Sequence, residues 1–326
     1  MRKTAFAELF DSRRKDALTA SVRFDGPPHA VSLDEMPPDR LASIEVLLTG
    51  WDAPRLTDDV LRRLPSLRAV LHCGGSIRGI VSDELWRRDI AVTSVPDVNA
   101  VPVAEFTFAF IVLAGKRAQV FAAESARARS DWSYVTQWGD LGNVGRTIGI
   151  VGFSQVGRRV VKLVQSLSSV TCLVADPYAD ADEVARSGAR LVALDALLPM
   201  VDTLSLHAPA TAETYRLIGA PELACLKDHA TVINTARGSL IDTAALEAEC
   251  VAGRLHAVLD VTDPEPLPDD SVLYGLPNVT LTPHVAGSMG SEMGALADAV
   301  LAQLAAYVRR ESLPGRIFES DMEIIA

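Results

Sequence analysis

The chain has 326 residues, 48% hydrophobic and 22% charged, which is ordinary for a globular protein with room for one large or two ordinary domains. A net charge of −11 leaves no basic surplus to neutralise phosphates, so a nucleic-acid partner is excluded, although a local arginine can still bind a small anion. The four cysteines (Cys73, Cys172, Cys225 and Cys250) form no C-x-x-C pair, so neither a zinc knuckle nor a redox dithiol is indicated. They are expected to be buried free thiols, and no metal is expected. The first residues, MRKTAFAELFDSRRKD, hold too short an apolar stretch for a signal segment. No uninterrupted apolar run reaches the ~18 residues that span a bilayer. A cytoplasmic protein is expected.

In chain order, Ile44–Thr49, Ala69–Cys73 and Ala91–Val95 read as strands, with a short helix over Val81–Arg88 that Ser82 or Asp83 can cap. Ala104–Arg129 has few breakers and helical spacing, and its first half is apolar nearly all round, so burial is predicted. Residues 130–146, with Gly, Trp, Asp and Asn, read as a loop. Thr147–Gly152 is a strand, followed by a glycine turn and a helix over Val156–Leu167. Further strands fall at Thr171–Ala175, Thr203–Leu206, Thr231–Asn234, Ala257–Val261 and Val279–Leu281. Helices fall near Pro221–Leu226, from the cap Asp242 to Gly253, and from about Glu292 to Arg310. Such alternation predicts α/β architecture with parallel sheets in two domains. Their boundary is placed near Val101–Pro102.

The stretch Gly152-Phe-Ser154-Gln155-Val156-Gly157 leaves a strand and opens a helix, nearly matching G-x-G-x-x-G. The first glycine serves the tight turn and the last the close packing of helix on strand. The middle position lets backbone approach a pyrophosphate resting on the helix N-terminus. Ser154 departs from the pattern there, and its hydroxyl could itself donate to a phosphate. Asp176 ends the next strand, about 20 residues on, where an acid accepts from the adenosine ribose hydroxyls. No cation follows it in PYAD, so NAD is predicted over NADP.

Three later segments each place a polar residue just after an apolar strand. They are Ile233-Asn-Thr235-Ala236-Arg237, Leu259-Asp260-Val-Thr-Asp-Pro-Glu265-Pro and Leu281-Thr-Pro-His284-Val-Ala-Gly287. Ligands bind at the carboxyl ends of strands in open α/β sheets. An arginine can clamp a carboxylate in two-pronged fashion and polarise an adjacent carbonyl. A histidine titrates in the range needed to give or take the hydroxyl proton, and a neighbouring carboxylate fixes its ring. Asp263 is a rival for that carboxylate.

Together these segments resemble the D-isomer-specific 2-hydroxyacid dehydrogenase family. The resemblance extends to the glycine turn, to Leu206-His207-Ala208-Pro209 with Glu213-Thr214-Tyr-Arg-Leu-Ile218, and to Asn99-Ala-Val-Pro-Val-Ala-Glu105, and covers about residues 67 to 290. It implies a hydride transfer between NAD(H) and a D-2-hydroxy acid/2-oxo acid pair, with Arg237, Glu265 and His284 as catalytic residues. It implies two Rossmann-like or flavodoxin-like domains with the active site in the cleft between them. Residues 1–101 would form the substrate domain, completed by 291–326, and 102–290 the NAD-binding domain. The cofactor would meet Gly152, Ser154, Gln155, Val156, Gly157, Asp176, His207, Ala208, Pro209, Thr214, Thr235, Ala236, Arg237, Asp260, His284 and Gly287. Family spacing selects Glu265 over Asp263.

The stretch His72-Cys-Gly74-Gly75-Ser76-Ile-Arg78-Gly79 resembles the family's substrate loop, in which backbone N–H groups bind a carboxylate. Gly74, Gly75, Ser76, Arg78 and Asn99, with Arg237 and His284, are thus expected at the substrate. Arg78 departs from the family's usual Asp or Asn and is read as a contact for a second anionic group. Trp132, Tyr134 and Trp138 could close the site, reach a partner subunit or simply pack. The helix from Ala104 fits a homodimer interface or a buried core. Oxidation of formate or phosphite, and an NAD-binding corepressor-like or sensor role, are the alternatives on the same scaffold. Glu265 weighs against the formate type, which pairs the histidine with glutamine.

Overall fold

A computed structural model describes all residues except 2, 139–140 and 324–326, together with the side chains of 126, 137, 138 and 323. The chain divides into two compact units, Met1–Ala100 with Ser288–Ala326, and Val101–Gly287. The side chain of Trp138 lies outside the described residues.

The first unit is built on β1 (Val46–Thr49), β2 (Ala69–His72), β3 (Ala91–Thr93) and β11 (Arg316–Ile317), in the order β1-β2-β3-β11. β1, β2 and β3 run parallel and β11 antiparallel to β3. Alternation along β2 divides its side chains between two cores. Ala69 and Leu71 join Leu9, Phe10, Leu18, Leu296 and Val300, whereas Val70 joins Leu61, Leu64, Ile77 and Leu85. A sheet apolar on both faces requires helices on both, and Ser12–Ser21 and Met293–Val308 cover one of them. Arg14 and Asp298 tie those two helices with two bonds of 2.7 and 2.9 Å.

The second unit holds β4 (Thr147–Val151), β5 (Thr171–Ala175), β6 (Arg190–Leu191), β7 (Thr203–Leu206), β8 (Thr231–Asn234), β9 (His256–Leu259) and β10 (Val279–Leu281). All are parallel, in the order β10-β9-β8-β7-β4-β5-β6. The chain winds outward from β4 to β6, then returns to β7 and winds the other way. The reversal puts the switch point between β4 and β7, where such sheets open a crevice at the strands' carboxyl ends. Alternation again feeds two cores: Ile148, Ile150, Cys172 and Val174 pack on one face, Val151, Leu173, Leu204 and Leu206 on the other.

The long apolar segment differs from its expected form. It begins earlier, at Pro96, and splits into helices Pro96–Gly115 and Ala118–Ala128. At the break Arg117 takes a left-handed φ of 50°. A Cβ on Gly115 would lie 2.0 Å from Asn143 Oδ1, so the following loop presses against the helix end. The helix is also only partly buried. Ile111 and Thr107 face the core, while Val101, Glu105, Ala109 and Leu113, four residues apart, lie exposed on one face. By length and composition it is long and apolar enough to cross a membrane, despite Asp97 and Glu105 within it. Cys225 is exposed rather than buried. Burial pushes the Cys73, Cys172 and Cys250 thiols up to about 12.

Candidate active site

The glycine turn is dictated by contact with the neighbouring strand's exit. Gly152 has φ +93°, and a Cβ there would lie 2.6 Å from Ala208 N, so backbone meets backbone at the switch point. A Cβ on Gly157 would lie 2.1 Å from Gly152 O, which brings the Gln155–Val164 helix down onto the turn. Ser154 is the N-cap of that helix, yet its hydroxyl makes no capping bond. It donates to His207 O at 2.9 Å. This bond ties the helix start to the β7 exit.

The first bond back into the helix is from Arg158 N to Ser154 O, 3.0 Å. The N–H groups of Gln155, Val156 and Gly157 precede it and point from the N-terminus, where an anion is stabilised. Asp176 accepts from Phe153 N at 2.7 Å and Tyr178 N at 2.9 Å. A carboxylate has about four acceptor positions, so lone pairs remain for ribose hydroxyls. Nearby Arg158 is held by Glu183 and stacks on Phe153. These residues fit a dinucleotide: the N–H groups of the helix start suit its phosphates and a fixed acid stands beside them.

His207 is buried, its Nε2 bonded to Ser205 Oγ at 2.9 Å, and burial lowers it to about 3. Pro209 O accepts the Thr214 hydroxyl at 2.6 Å, which closes the turn after β7.

The second cluster sits at the exits of β8, β9 and β10. His284 Nδ1 lies 2.7 Å from Glu265 Oε1. Asp263, the rival acid, contributes its carbonyl to the Thr243 hydroxyl, 2.7 Å. His284 stands at a left-handed φ of 55°, a costly conformation for a residue with a Cβ. The turn holds because it wraps round Asp260, whose carboxylate is 2% exposed as a residue. Asp260 accepts from Thr282 Oγ1 at 2.6 Å, Val285 N at 2.8 Å and Ala286 N at 2.9 Å. Both carboxylate oxygens thus shape the histidine turn.

Arg237 donates from Nη1 to Ala236 O at 2.6 Å. Asn234, at the end of β8, accepts from Ala236 N at 3.0 Å and donates to Arg237 O at 2.7 Å, folding the Thr235–Arg237 loop on its own side chain. Buried Thr107 meets Thr235 hydroxyl to hydroxyl at 2.7 Å. A Cβ on Gly238 would lie 2.0 Å from the Thr262 carbonyl, so the arginine segment rests directly on the loop leading to Glu265. Asn234, Thr107 and Gly238 escape sequence reasoning, because each acts on partners distant in the chain. The asparagine before Thr235 was the one signal available.

The first unit gathers Gly74, Gly75, Ser76 and Asn99. Gly74 O accepts from Val95 N at 3.0 Å, and a Cβ on Gly75 would lie 3.6 Å from Asn99 Nδ2. Asn99 Oδ1 accepts from Ser288 N at 3.0 Å. Arg78 is exposed, and its Nη2 donates to Met322 O at 2.7 Å. The exposed Trp132 donates to Arg129 O at 3.2 Å, and Tyr134 packs on Phe121 with ring centroids 5.9 Å apart.

A doubly wound parallel sheet, a glycine turn at its switch point and a fixed acid on the next strand define a dinucleotide-binding α/β protein. Residues 110–286 match the model of the D-isomer specific 2-hydroxyacid dehydrogenase NAD binding domain. The chain is 31% identical over 303 residues to glyoxylate reductase of Korarchaeum cryptofilum, covering 89% of this chain and 90% of that one. It is 35% identical over 240 residues to (S)-sulfolactate dehydrogenase of Chromohalobacter salexigens, covering 72% and 75%. It spans about half the length of the D-3-phosphoglycerate dehydrogenases it matches. A Thermus thermophilus protein of known structure superposes with a TM-score of 0.76 at 27% identity, over 94% of this chain and 96% of that one. The chain belongs to the D-isomer specific 2-hydroxyacid dehydrogenase family, and its cofactor is NAD.

Proposed function

We propose that this protein is a cytoplasmic, homodimeric NAD-dependent dehydrogenase that interconverts a D-2-hydroxy acid and its 2-oxo acid. The observation that carries this is the 2.7 Å pairing of His284 Nδ1 with Glu265 Oε1. It leaves Nε2 as the atom that gives or takes the substrate's hydroxyl proton. Glu265 holds the ring and complements its charge in the protonated state. Arg237 binds the carboxylate and polarises the neighbouring carbonyl. The Gly74–Ser76 loop binds the carboxylate through backbone N–H groups. Bound NAD(H) supplies or accepts the hydride. The apolar stripe of Val101, Ala109 and Leu113 suits a second copy of the chain.

Loss of NADH absorbance across a panel of 2-oxo acids, from glyoxylate and pyruvate to aromatic and dicarboxylic acids, tests this. Turnover is expected, with preference for NADH over NADPH, and His284→Ala should abolish it. Glu265→Gln keeps the hydrogen bond but removes the charge, and should lower kcat by about 10²-fold. Tight NADH binding with no turnover of any acid would overturn the proposal.

A further inference from the structure

His72 ends β2 and directs its ring under the glycine loop. It is only 6% exposed. Nδ1 is committed to Thr49 Oγ1 at 3.0 Å, its one hydrogen bond among the described residues. Nε2 lies where a Gly74 side chain would be, 2.6 Å from the position of a Cβ. The glycine is thus required by the imidazole, and the imidazole's second nitrogen is placed against the loop's backbone.

We propose that His72 is a substrate-binding residue of the glycine loop, presenting Nε2 beside Gly74 to the carboxylate of the 2-oxo acid. This role requires the Thr49 hydroxyl to donate to Nδ1, which puts the ring proton on Nε2, a donor alongside the loop's N–H groups. Burial lowers His72 to about 4, so it is a neutral donor at working pH. It binds the carboxylate without adding a charge that would compete with Arg237. The fixed tautomer depends on Thr49, itself 3% exposed.

This inference rests on the reaction proposed above, and its test separates the two. His72→Phe keeps the bulk and removes both nitrogens, while His72→Asn restores a donor. His72→Phe should raise KM for the best 2-oxo acid about tenfold, with kcat and the KM for NADH within about threefold of wild type. His72→Asn should recover much of that loss, and Thr49→Val should raise KM by a smaller factor. Because a buried substitution can unfold the chain, wild-type imidazole ¹⁵N shifts are also followed while oxamate is titrated into the NADH complex. A shift of the His72 Nε2 signal is expected. A folded His72→Phe with unchanged KM, or an unmoved Nε2 signal when oxamate binds, would overturn the inference. Failure of the wild type both to reduce any acid and to bind oxamate would overturn the reaction itself, and this inference with it.

Discussion

The backbone N–H of His284 donates to the carbonyl of Asp260 at 2.9 Å, and the Asp260 carboxylate accepts from the two residues that follow His284. One buried side chain thus sets the direction of the histidine from behind. A left-handed backbone at a residue with a Cβ costs ~1–2 kcal/mol, which these bonds offset.

Asp260→Asn replaces an acceptor by an amide that cannot take all three bonds. We expect kcat to fall at least about tenfold and urea unfolding to show a loss of about 1–3 kcal/mol. Unchanged kcat would mean that Glu265 alone orients the ring.

The glycine turn gives a contrast between neighbours. Ser154→Ala loses the bond to His207 O and should cost about 1 kcal/mol of stability, while NADH Kd, measured by fluorescence titration, changes less than about threefold. Gly152→Ala forces a Cβ to 2.6 Å from Ala208 N and should abolish NADH binding or folding. A large loss of affinity in Ser154→Ala would show the hydroxyl on the phosphate instead.

Three buried histidines predict an acid-sensitive fold. Burial lowers His207 to about 3 and His72 and His256 to about 4, the last helped by Arg117 and His229. Unfolded, each takes up a proton near ~6.5. Their contribution is therefore complete above that value and is lost as pH falls toward the folded values, by up to ~1.4 kcal/mol per pH unit for each histidine. Denaturant midpoints from pH 8 to 4.5 should be flat above ~6.5 and fall below it. His256→Gln should reduce the slope, and an equal slope in that variant would sink the assignment.

The exposed stripe on the Pro96–Gly115 helix predicts self-association. Leu113, 40% exposed, is the residue to charge. Leu113→Asp should shift the mass measured by light scattering from dimer to monomer without lowering the melting temperature. A wild type that is monomeric at micromolar concentration would remove the dimer.

The sequence by itself determined much. Most strand positions were legible because a buried parallel strand is a short apolar run, and each exit carries a polar residue out of pattern, as at Asp176, Arg237, Asp260 and His284. The short strands Arg190–Leu191 and Arg316–Ile317 carry no such run and were not legible. Neither was the break at Gly115, against which Asn143 packs only in the folded chain. Tertiary structure set the Glu265 carboxylate, which family spacing had already selected over Asp263, on the imidazole, turned Ser154 toward His207 and Arg78 toward Met322, and placed Asp260 beneath the histidine turn. The physical reason is common to all four. Motif spacing fixes which strand end a residue leaves from, but hydrogen-bond direction depends on loops that fold back from elsewhere in the chain.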